Sequence, residues 1–268
     1  MAHTLQERYS NLVDAKLRDT IVKRNGVIFN TRYEGKPTAG AVKVPVRDTE
    51  VVVSAYNKGT GAEITHGDTS YITVTIEHDY AVNELIDGYE AAAVPDGLVA
   101  DRLDSAAYSL ALQLDKDATT CLESAATSLT TSETDAYKIC VDARKQLSKA
   151  KVPTTGRWLL ASPDFYAELL KDEHFIHASD MGDAVIKTGA VGQIAGMLVF
   201  EDNTLSANTS FLAGHPNWCC RIEEWMVPVA VNDLKGSGKY IGASAVQGRK
   251  IYEHKVTKPK TLIIKRNA

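Results

Sequence analysis

The residues with types and spacings that could do chemistry fall into a few small groups. Gly236-Ser237-Gly238-Lys239 has the look of a phosphate loop. That motif needs a glycine five positions before its second glycine and a Ser or Thr after the lysine. Asp233 and Tyr240 stand in those places, which leaves a flexible turn. His174 and His177, beside Glu173, have a spacing that could put two imidazoles on one helix face for a metal ion, but no third ligand is placed by sequence. His215 with Cys219 and Cys220 fares no better, because adjacent residues of a strand point to opposite faces. Asp14, Glu34 and the other carboxylates are scattered and unpaired, and no Ser-His-Asp set or Gly-x-Ser-x-Gly turn is present. The sequence therefore predicts no catalytic residue, no metal site and no cofactor.

Composition narrows the classes further. The chain has 268 residues, 44% hydrophobic and 24% charged, enough to bury a large core in one or two domains. The formal net charge of −4 argues against a chain built mainly to grip nucleic acid. One local basic cluster exists, Lys255, Lys258, Lys260, Lys265 and Arg266. It would either touch nucleic acid without sequence preference or form a solvated strand surface. No apolar run approaches about 18 residues, and the N-terminus lacks an apolar signal core, so the chain is expected to stay in the cytoplasm where it is made. Four cysteines do not suggest a disulfide framework; Cys121 and Cys140 sit at apolar helix positions and are expected to be buried thiols.

The chain is organised around a long helix expected from Asp96 to about Ala126. Val99, Leu103, Ala107, Leu110, Leu114, Ala118 and Cys121 recur in steps of four and three, on one narrow face. Pro95 and Asp96 supply a stop and an N-cap. Such a rod, about 45 Å long at ~1.5 Å per residue, is either a coiled-coil strand or a spine with a sheet along its apolar face. Sustained heptads are missing, which favours the spine. Ahead of it, Val42, Val44 and Val46 alternate with polar positions, and Ile72, Val74 and Ile76 return the pattern. Pro45 places its strand at an edge or bulge. The two strands form a long hairpin whose wide tip carries Gly59, Gly61 and Gly67. A two-stranded ribbon is marginal alone. Its apolar face is expected on another subunit, the alternative being its own core.

Residues 1 to about 24 carry a helical stripe, Leu5, Tyr9, Leu12 or Val13, Leu17 and Ile21, and read as a docking arm or an ordinary first helix. After the spine, Ser132 and Asp135 have capping-box spacing before a stripe of Ala136, Cys140, Ala143 and Leu147. Arg157 to Ser162 reads as a buried strand, and Ser162-Pro163 opens a helix. A strand over Met197–Glu201, a strand pair around Gly214-His215-Pro216, and two closing strands ending in Leu262, Ile263 and Ile264 complete the reading.

Several of these strings, in their order, resemble the major capsid proteins of tailed bacteriophages, the fold of phage Hong Kong ninety-seven. They are Gly192 to Leu205, Arg157 to Asp172, Phe211 to Trp225 and Ala245 to Val256, following a long hairpin and a long helix. The resemblance implies an α+β tailed-phage capsid fold with an N-terminal arm (1–35) and an extended β-hairpin loop (36–80). A spine helix with a peripheral sheet (81–126 and 245–268) and an α/β axial domain (127–244) would complete it. It implies an icosahedral shell of pentamers and hexamers, a separate scaffolding protein, or none, because the chain begins almost directly with the arm, a portal, and packaged DNA contacted non-specifically. The site residues it points to are the hairpin tip (Lys58, Gly59, Gly61, Glu63 and Gly67), the spine core (Leu103, Leu110 and Leu114) and an interior basic end (Lys258, Lys260, Lys265 and Arg266). Some members cross-link a hairpin lysine to an asparagine; Lys58 sits at the tip, but no matching asparagine motif is present. The competing readings are an encapsulin-like cargo compartment and a soluble α/β enzyme.

Overall fold

The computed structural model describes residues 18–33, 40–47, 50–64, 66–87, 98–173, 176–177, 190–234 and 238–267. The stripe from Leu5 to Leu17, the Pro95-Asp96 cap, Asp14, Glu34, Gly236, His174 and the His177 side chain lie outside the described residues.

The hairpin is β1 (Ala41–Val46) paired antiparallel with β2 (Ser70–Thr75), with Val44 opposite Ile72 and Val42 opposite Val74. Its apolar base does not wait for another subunit. Val42, Val44 and Val74 are buried against Ile222 of the same chain, with Tyr33, Val46 and Ile76 around them. This corrects the expectation for the base. Ile222 stands far along the chain, so no local pattern reveals it as the covering residue.

β3 (His78–Ile86) continues from the hairpin into a three-stranded antiparallel sheet, in the order β10-β11-β3, with β10 spanning Cys219–Asp233 and β11 Ser244–Val256. Across this sheet lies the spine, α1 (Leu98–Ala125). Its buried seam is Ala106, Leu110, Leu114, Ala118 and Leu122, with Leu103 half-buried. Val99 and Ala107 are exposed and Cys121 is half-buried, which corrects the expected seam at both ends. Steps of four residues overshoot a full turn by about 40° each, so the seam winds around the helix. The winding fits a rod that crosses two surfaces. Leu103 and Ala106 meet Val82, Ile86, Val229 and Val246 of the three-stranded sheet. Ala118 and Leu122 join a second core with Trp158, Leu160, Phe200, Leu212 and Ile264.

That second core belongs to a seven-stranded mixed sheet, ordered β4-β12-β9-β5-β8-β7-β6. Its strands are β4 (Thr127–Ser128), β5 (Trp158–Ala161), β6 (Ile176–His177), β7 (Gly192–Ile194), β8 (Met197–Glu201), β9 (Thr209–Gly214) and β12 (Ile263–Arg266). Residues of β5 alternate between faces: Trp158 and Leu160 face the spine, while Leu159 and Ala161 face α2 (Ala136–Lys149) and α3 (Pro163–Leu169). Both faces are covered, which is why all four residues are buried. Asp135 itself caps α2, accepting from Lys138 N, so the expected pairing of Ser132 with Asp135 gives way to a single cap. Ser162 caps α3 as expected, accepting from Phe165 N. Two strand assignments change. β9 and β10 are not a pair but lie in different sheets, and β12 pairs with β9 rather than returning along β11.

Candidate assembly surfaces

The hairpin tip leaves a row of large apolar side chains open. Val51 and Val52 are each 66% exposed, Val53 95%, Tyr56 76% and Ile64 86%. Burying a side chain of this kind is worth about 1.5–3 kcal/mol, so leaving the row in water is a standing cost unless another surface covers it. The tip closes at Asn57: Asn57 and Gly61 exchange backbone hydrogen bonds of 3.1 and 2.7 Å, and Asn57 Oδ1 accepts from Gly59 N at 2.8 Å. Gly61 adopts a φ of +76°, a left-handed conformation that a side chain would strain. Lys58, Gly59 and Glu63 stand exposed around this turn, and Gly67 packs so tightly on the Arg47 guanidinium that a Cβ would come within 2.5 Å of it.

A second open apolar surface, not singled out by sequence, lies on the distal half of β10. Trp225, Met226, Val227 and Val231 are partly exposed there, and Ile241 in the following turn is 88% exposed. Two register shifts between Trp225 and Ala230 bend the strand around Pro228, which has no N–H for a ladder. Val229 folds over Gly248 so closely that a Cβ would meet its Cγ2 at 2.7 Å.

Behind these surfaces the arm residues are fastened to the spine. Arg18 pairs with Asp104, and the Tyr108 hydroxyl donates to the Asp19 carbonyl at 3.2 Å. Lys23 is wholly buried: its Nζ donates to Asp115 Oδ2 at 2.9 Å and Thr204 Oγ1 at 2.7 Å, and lies 2.6 Å from Asp202 Oδ2. Sequence reasoning missed this group, because charged side chains are rarely buried unless paired and the three positions are far apart. The one signal was Asp115 and Thr119, four residues apart on the flank of the seam.

Among the described residues the sequence candidates for chemistry are not assembled into a site. His215 is committed at both nitrogens: Nδ1 accepts from Asn217 N at 3.1 Å and Nε2 faces the Thr155 carbonyl at 3.0 Å. Burial pushes its pKa below the usual histidine range. Cys219 and Cys220 are buried, and burial raises both thiols, Cys220 to about 12. Among the described residues no group of three or more His, Cys, Asp and Glu side chains is placed to hold a metal. Gly238 and Lys239 lie in an exposed turn, with Lys239 Nζ 5.2 Å from the centre of the Tyr240 ring. Lys258 and Lys260 sit at the turn before β12, while Lys265 and Arg266 close the strand's other end, so the basic residues bracket β12 rather than forming one cluster.

A long hairpin with an open apolar tip and a spine crossing two sheets are the architecture that the comparisons test. Known structures agree on the fold. A chain of the capsid structure of cyanophage P-SCSP1u superposes with a TM-score of 0.75 at 14% identity, covering 98% of this chain and 93% of that one. A chain from Mycobacterium phage Che8 gives 0.70 at 21% identity, covering 97% and 96%. A chain from the capsid of a native GTA particle gives 0.69 at 12%, covering 98% and 95%. No curated protein matches the sequence. The model of the phage capsid protein family matches residues 85–251, more than half of the chain, and this chain belongs to that family. It is a structural subunit of a bacteriophage head rather than an enzyme, and it assembles with copies of itself into the shell of the virion.

Proposed function

We propose that the hairpin tip, with Lys58, Gly59, Gly61, Glu63 and Gly67 around the apolar row from Val51 to Ile64, is the surface through which one subunit grips the next. The single observation that supports this is the contrast along the hairpin: a base sealed by Ile222 of its own chain and a tip that nothing in the described chain covers. In this reading residues 1–35 act as an arm, 36–80 as the reaching loop, 81–126 with 245–268 as the peripheral domain and 127–244 as the axial domain. β10 and β12 are exchanged between the last two by their sheet pairing. Leu103, Leu110 and Leu114 keep the spine seated while neighbours pull on the loop. Copies close into pentamers and hexamers in the host cytoplasm, assisted by a separate scaffolding protein and a portal. Lys258, Lys260, Lys265 and Arg266 meet packaged DNA as scattered phosphate contacts, without sequence preference.

Deletion of Ala55 to Thr69 tests the role of the loop. The variant is expected to stay folded, with an unchanged circular dichroism spectrum, and to sediment as free subunits or capsomers. Normal particles from the deleted chain would refute it.

A further inference from the structure

We propose that Lys23 and Asp202 are joined by an intrachain amide bond that the folded protein makes by itself, with Asp115 moving the proton. The observation that leads there is an anomaly in the buried cluster. Lys23, Asp115 and Asp202 have side chains with no exposure at all. Lys23 Nζ donates hydrogen bonds to Asp115 Oδ2 and Thr204 Oγ1. It also lies 2.6 Å from Asp202 Oδ2, yet that oxygen has no hydrogen-bond partner. An ordinary ion pair at this distance would be hydrogen-bonded. Here the nitrogen is pressed against the carboxyl group outside hydrogen-bond geometry, while two of its three donors serve Asp115 and Thr204.

The surrounding groups match what amide formation requires. Asp202 Oδ1 accepts from Thr204 N at 2.9 Å and from Thr204 Oγ1 at 2.7 Å, a pair of donors placed where negative charge develops when a nucleophile adds to the carboxyl carbon. Asp115 is fixed by Lys23 N, which donates to its Oδ1 at 3.0 Å, leaving Oδ2 facing Nζ. The fold holds nucleophile, electrophile and base together, so the reaction is effectively unimolecular. Lysine is a nucleophile once its ammonium has lost a proton.

The step balances without any other reagent. One ammonium proton passes from Nζ to Asp202 Oδ2, giving a neutral amine and a neutral carboxylic acid. The nitrogen lone pair adds to Cγ of Asp202, and Oδ1 carries the charge under the Thr204 donors. Asp115 takes a second proton from Nζ and returns it to Oδ2, which departs as water when the C–O bond breaks. The product is a neutral amide, Asp115 is again a carboxylate, and one buried ion pair with its desolvation cost has been removed. The bond ties the arm to the turn after β8, across the spine.

The test is the mass of the wild-type folded protein, measured under denaturing conditions, beside the Lys23→Met variant. The wild type is expected to be lighter than its sequence by one water, and the variant to have its full sequence mass. A tryptic digest of the wild type should contain a branched peptide joining Lys23 to Asp202, with no cleavage after Lys23. A full-mass wild type with a linear Lys23 peptide would overturn the proposal. So would a water loss mapped elsewhere, such as a cyclised Asp-Gly site.

Discussion

Arg221 Nε donates to Nε2 of His254 at 2.9 Å, with both side chains buried between the arm and the three-stranded sheet. The guanidinium lies 4.6 Å from the centre of the Phe29 ring. Accepting at Nε2 requires a neutral imidazole. Burial, reinforced by the neighbouring Arg221 charge, pushes the His254 pKa down to about 2. An unfolded histidine titrates near 6.5. The unfolded chain therefore binds the extra proton between these values, and the contribution of His254 is complete above about pH 6.5 and is lost progressively as pH falls. In urea unfolding of dissociated subunits, this one site should steepen the fall in stability by up to about 1.4 kcal/mol per pH unit below pH 6. His254→Gln keeps an acceptor for Arg221 and should remove that increment. An unchanged slope would contradict the buried neutral imidazole.

The winding seam of the spine separates two adjacent alanines. Ala106 is 6% exposed and Ala107 is open to solvent. Ala107→Asp should change stability by no more than about 0.5 kcal/mol, whereas Ala106→Asp buries an unpaired charge and should abolish folding. Leu110→Ala or Leu114→Ala should each cost about 2–5 kcal/mol, and the double change of both leucines to Asp should yield no soluble native protein. Thermal melts and expression of soluble protein decide each case.

Arg157, 2% exposed, fastens the end of α2 by hydrogen bonds. Its Nε donates to the Pro153 carbonyl at 2.8 Å, Nη2 to the Val152 carbonyl at 2.7 Å and Nη1 to the Arg144 carbonyl at 3.3 Å, while both terminal nitrogens reach Ser148 Oγ at 3.2 Å. The acceptors lie at the negative end of a helix dipole, which favours a cation there. A planar fork serves them together and a lysine cannot. Arg157→Lys should therefore lose about 1–3 kcal/mol in denaturant titration, and a lysine variant of full stability would refute the assignment.

What was legible in the sequence was local. The spine, the strand at Met197–Glu201, the buried β5 and the Ser162-Pro163 start of α3 all follow from spacing, caps and short apolar runs. What was hidden depended on residues far apart in the chain. Ile222 gives no sign that it seals Val42, Val44 and Val74. β9 and β10 read as neighbours because a short turn joins them, yet the 3-10 turn Pro216–Trp218 carries the chain from one sheet to the other. Lys23, Asp115 and Asp202 are individually ordinary charged residues and only the fold brings them together. At the hairpin tip the sequence offered only its glycines; the exposed row Val51, Val52, Val53, Tyr56 and Ile64 emerges from the structure.

The most direct measurement is electron microscopy with light scattering on the purified chain, first alone and then expressed with any scaffolding protein that its phage encodes. Closed particles or flat sheets of capsomers, in either case, are the expected result. Monomers or small rings under both conditions would contradict a shell-forming subunit.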